Sequence, residues 1–82
     1  MNAVFPLRTL SPGQQAEIVR VTVNGPLGRR IRDMGLVPGR VIQVIGKAPL
    51  RDPVELKLTD FNLTLRNKEA DHILVKPVED RK

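Results

Sequence analysis

The chain predicts a mainly β fold, a small antiparallel barrel of five to six strands with one short helix inserted at about residues 26–34 and a helical turn near 68–71. Three observations lead there. The 82 residues are enough for one domain, and a chain of this size buries only about 60% of the surface its unfolded form exposes. Short apolar segments recur at close spacing, separated by turn residues, and one stretch alone has a helical period. That pattern favours a barrel over a sandwich or a βαβ sheet, and closure would remove exposed strand edges. An open sheet packed on the helix is the alternative.

Along the chain, Leu10, Ser11, Pro12 and Gly13 read as a turn, followed by a first long strand over Ala16 to Val23, β-branched and half apolar. The segment Gly25 to Gly39 compresses a basic helix, a helix stop and a tight turn. Pro26 suits the first helical position, and Gly35 is placed to end the helix in the left-handed region. Leu27, Ile31 and Met34 fall within about 60° of one another at roughly 100° per residue, a single apolar stripe for the core. Arg29 and Arg32 then project from the opposite side, with Arg30 at the flank. Pro38 and Gly39 form the corner of a turn into Val41 to Ile45, a strand apolar enough to be covered on both faces, which Gly46 could bulge.

Val54, Leu56 and Leu58 alternate with Glu55 and Lys57, the pattern of a strand with one buried face. Asp60 to Asn62 turns it back into Leu63 to Leu65, a hairpin. Asn67 can cap one helical turn over Lys68 to Asp71, and Ile73 to Val78 is the last strand. Residues 1–82 are read as one domain, with the final four, EDRK, as a frayed tail and the start at Met1 as that of a free-standing protein.

Composition excludes several functions. Without cysteine there is no disulfide, no thiolate nucleophile and no sulfur ligand, which for so small a domain points to a reducing, cytoplasmic setting. No window approaches the roughly 20 apolar residues of a membrane span. The chain lacks a Ser–His–acid set, a phosphate loop and a carboxylate pair in an apolar pocket, so no catalytic residue and no cofactor are expected. His72 is the single imidazole, and with Glu69 and Asp71 on a terminal turn it is read as solvated surface, not as a metal site. Arg20, Arg40 and Arg66 could meet phosphates, yet Phe5 and Phe61 are the only aromatic residues on which bases could stack, so nucleic acid is not expected.

The formal charge is +5, and Arg29, Arg30, Arg32 and Arg40 against Asp33 place +3 of it between residues 29 and 40. Such a concentration suits a protein-docking surface. The expected partner-binding residues are Arg29, Arg30, Arg32, Met34, Leu36, Val37, Pro38 and Arg40. Leu36 could instead plug the end of the barrel. Self-association is open, because the alternation at Val54 to Leu58 would serve barrel closure or pairing across a dimer.

Four segments carry a family resemblance: L-S-P-G-Q at 10–14, R-R-I-R-D-M-G-L-V-P-G at 29–39, A-P-L-R-D-P-V at 48–54 and L-T-L-R-N-K-E-A-D-H-I-L-V at 63–75. With them the chain resembles the ferrous iron transport protein A (FeoA) family and the related SH3-like domain at the C-terminus of iron-dependent repressors. Arg51 and Asp60 stand where glycine is expected, both in turns. The resemblance implies an SH3-like barrel in the bacterial cytosol that binds and modulates or assembles FeoB, the Fe(II) permease with a GTP-hydrolysing domain. It also makes Arg29 and Arg30 candidates to reach that domain in trans. An SH3-like regulatory or nucleic-acid-binding module unconnected to transport is the alternative.

Overall fold

In the computed structural model, which describes residues 3–47 and 53–78, six strands alternate with two short helices. The strands are β1 (Phe5–Pro6), β2 (Gln15–Val21), β3 (Val41–Lys47), β4 (Val54–Lys57), β5 (Asn62–Leu65) and β6 (Ile73–Pro77); the helices are α1 (Gly25–Asp33) and α2 (Asn67–Ala70). A single 3₁₀ turn over Leu7–Thr9 follows β1. All neighbouring strands are antiparallel, in the order β1-β6-β2-β3-β4-β5. The hydrogen-bonded sheet is therefore open, with β1 and β5 at its ends. Leu7, just after β1, and Leu65 of β5 nevertheless join one core with Ile18, Ile42, Val44, Leu56, Ile73 and Val75. A sheet whose two ends meet over one core is the arrangement expected of a small SH3-like barrel.

The alternation in β4 is realised as buried Val54 and Leu56 against exposed Glu55 and Lys57. Both edges of β4 are occupied, by β3 and β5, so this strand cannot pair across a dimer. The hairpin closes where the Leu58 N–H donates to the Phe61 carbonyl, 2.8 Å. Gly46 lies at a register shift in the β3–β4 ladder, as its position suggested.

Three expectations require correction. β3 is covered on one face only: Ile42 and Val44 are buried while Val41 and Ile45 are exposed, because the single sheet turns its outer face to solvent there. β1 has no counterpart in the sequence reading, since two residues carry no period; Phe5 and Pro6 become a strand through their partners Val75 and Leu74. Arg66, not Asn67, is the N-cap of α2. The turn at 48–52, with Arg51, and the tail at 79–82 lie outside the described residues.

Candidate functional site

The basic segment is shaped by two local devices. At the end of α1 the Gly35 N–H donates to the Arg32 carbonyl (2.9 Å) and the Leu36 N–H to the Ile31 carbonyl (3.3 Å), a Schellman closure made possible by φ +94° at Gly35. Such a closure brings the residue after the glycine onto the third residue before the cap, here apolar Leu36 onto Ile31. Both are fully buried. The chain then reverses at Val37-Pro38-Gly39-Arg40, where the Arg40 N–H reaches the Val37 carbonyl at 3.1 Å and Gly39 has φ +92°. Proline then glycine at the two central positions is what a type II turn demands. Gly39 N–H to Ile18 carbonyl and Ile18 N–H to Arg40 carbonyl, each 2.8 Å, tie this turn to β2.

Gly25 is counted in α1 but has φ +75°, so Pro26 is the first residue with helical dihedrals, as its ring predicts. The stripe of Leu27, Ile31 and Met34 faces the core, with Ile31 buried and the other two partly so. Gly28 is buried where α1 crosses the chain before it; a Cβ there would overlap the Val23 carbonyl.

Half-buried Arg40 aside, the expected contact residues divide into three groups. Arg29, Arg32, Val37 and Pro38 are exposed and stand together on α1 and its following turn. Leu36, 0% exposed, and half-buried Met34 belong to the core, the first because of the Schellman contact. Leu36 thus leaves the contact set. Arg30 is exposed but engaged: its Nε pairs with Glu69 Oε2 at 3.3 Å. Of the two arginines considered for reaching a partner's GTP site, only Arg29 has no ion pair among the described residues.

Glu69 departs furthest from its expected role. It is 4% exposed, and its Oε1 accepts the Arg66 N–H at 3.1 Å, capping α2, while Oε2 holds Arg30. Arg66 cannot return the favour, since a guanidinium has no acceptor. Asp71 pairs with Arg8 at 3.0 Å. The carboxylates beside His72 are therefore committed to cationic groups, and no cluster of three His, Cys, Asp or Glu stands within reach of one ion among the described residues.

Sequence reasoning named Phe61 only as one of the two aromatic residues on which bases could stack. Its ring lies against Gly35, 3.7 Å from where a Cβ would stand, and under Arg40, whose guanidinium carbon is 5.9 Å from the ring centroid. The β4–β5 turn thus joins the Val37–Arg40 turn in one surface. The available signal was an aromatic side chain at a hairpin tip in a chain with only two of them.

The FeoA domain family model matches residues 5–77. A curated relative, the Fe(2+) transport protein A/Fe(2+) transporter FeoB fusion protein of Porphyromonas gingivalis, is 46% identical over 69 residues; the match takes in 84% of this chain and 8% of that protein's length. The NMR structure of a FeoA-like protein from Clostridium acetobutylicum superposes with a TM-score of 0.89 at 32% identity, over 100% of this chain and 95% of that one. The crystal structure of IdeR from T. acidophilum gives a TM-score of 0.81 at 21% identity, over 93% of this chain and 35% of that one, a likeness of fold.

Proposed function

The chain belongs to the FeoA domain family, and from that premise we propose that it is a cytoplasmic accessory domain of ferrous iron transport that docks a FeoB-type Fe(2+) transporter through Arg29, Arg32, Val37, Pro38 and Arg40. The observation that carries this reading is the relative in which the homologous segment is continuous with FeoB. Joining two domains in one chain makes their contact intramolecular, at an effective concentration in the millimolar range, so that a small patch suffices. The surface described above has the character such a contact needs: cations on one helix face, a turn held by two backbone hydrogen bonds to β2, and an apolar residue between them. No helix among the described residues is long and apolar enough to cross a membrane, which suits a domain that reaches the bilayer through its partner. In this reading the domain acts by binding, and it contributes no reaction of its own.

Capture of full-length FeoB from detergent-solubilised membranes of the same organism tests the proposal. Arg29→Glu with Arg32→Glu should reduce capture by about tenfold or more, because charge at a rim governs encounter and complementarity. Equal capture by wild type and variant overturns it. Arg30 is left intact in this experiment, since reversing it would set a carboxylate against Glu69 and confuse folding with docking.

A further inference from the structure

We infer that Arg40 and Phe61 form a seat for one acidic side chain of the protein partner, with the apolar residue next to that acid resting on the Phe61 ring and Val37. This deepens the docking reading and rests on it. Arg40 is half-buried, and its Nε is shut off from solvent with no hydrogen-bond partner among the described residues. A buried donor left unmade costs free energy, and nothing among the described residues repays that cost at Nε. The guanidinium carbon lies over the Phe61 ring, 5.9 Å from its centroid, a cation–π contact that uses none of its N–H groups as a hydrogen-bond donor. A carboxylate takes two parallel N–H bonds from the edge of a guanidinium, and among the described residues this cation faces a ring and is paired with no acid.

The apolar half of the seat is equally specific. Phe61 is 43% and Val37 36% exposed, and the tip of the ring lies beside the end of α1, 3.7 Å from where a Cβ on Gly35 would stand. Each part sits on a fixed backbone: the Arg40 and Gly39 bonds to Ile18, and the Leu58–Phe61 closure of the hairpin. Arg29 and Arg32, neither in an ion pair among the described residues, add positive charge on the adjoining helix face, in a chain of net charge +5. An acidic residue beside an aliphatic one matches both halves. A base or a sugar would find one ring and no second stacking partner.

The test is an NMR titration of the full chain with the tripeptide acetyl-Leu-Glu-Leu amide, its glutamine twin and inorganic phosphate. The glutamate peptide should move the Arg40 Nε–H and Phe61 resonances at about tenfold lower concentration than the glutamine peptide, since a charged acceptor is worth roughly twice a neutral one. Arg40→Gln and Phe61→Ala should lose the response, and Arg40→Lys should keep only part of it. An equal response to the glutamine peptide, an equal response to phosphate, or a response that survives Arg40→Gln overturns the seat. FeoB capture separates the two proposals. Capture retained by Arg40→Gln but lost on reversing Arg29 and Arg32 overturns the seat and leaves the docking; a peptide response with no capture by wild type overturns the docking and leaves the seat.

Discussion

Glu69 and Gly28 are the residues on which position decides most. Glu69 holds a helix-cap N–H with one oxygen and Arg30 with the other while almost wholly buried, so removing it takes the acceptor from the cap and the ion pair from Arg30 at once. Glu69→Leu should cost about 2–3 kcal/mol in urea unfolding, and Glu69→Gln distinctly less, because the amide oxygen can still accept from Arg66. Gly28 reverses an ordinary expectation. Glycine to alanine inside a helix normally stabilises by about 1 kcal/mol, but here the new methyl meets the Val23 carbonyl, and Gly28→Ala should destabilise by about 3 kcal/mol. Gly46→Ala, with open space around its Cβ, serves as the near-neutral comparison in the same assay. Neither role could be read from the sequence. A glutamate near a helix start reads as solvated, and a helical glycine has no period that announces what lies above it.

At the scale of elements, α1 and its closure were legible almost residue by residue, because proline, glycine and an apolar spacing of four and three act within one or two turns of chain. Gly35→Ala forces a Cβ into the left-handed region at φ +94° and should cost about 1–2 kcal/mol, a lowering of Tm of roughly 4–8 °C per kcal/mol for a domain of this size. The burial of Leu36 follows from the same closure, and an apolar residue directly after a C′ glycine was the signal for it. What α1 does with its arginines was not legible. Arg29 and Arg30 are adjacent and chemically identical, yet one faces away and the other is held by α2. Arg30→Glu should therefore lower Tm well beyond Arg29→Glu, measured side by side by calorimetry, since only the former meets a buried carboxylate.

For the whole molecule the concentration of charge on one side matters more than any single pair. The Lys76–Glu17 contact, 3.9 Å with both side chains more than a third exposed, should be worth under about 0.5 kcal/mol, so Lys76→Ala should leave the urea midpoint nearly unchanged. Docking through the arginine face should weaken steadily from 0.05 to 0.5 M salt while thermal stability stays nearly level, because screening acts on exposed charges at long range and hardly on a buried apolar core. The residues by themselves determined a mainly β fold, the β4–β5 hairpin, the stop of α1, the turn after it and a cationic segment, all of which depend on dihedral preference and period over a few neighbours. Only the tertiary structure decided that β1 exists, that the outer face of β3 is bare, that Glu69 claims Arg30 and that Phe61 lies under Arg40. Those contacts join residues far apart along the chain, and they are set by the order and register of the sheet, which no local pattern encodes.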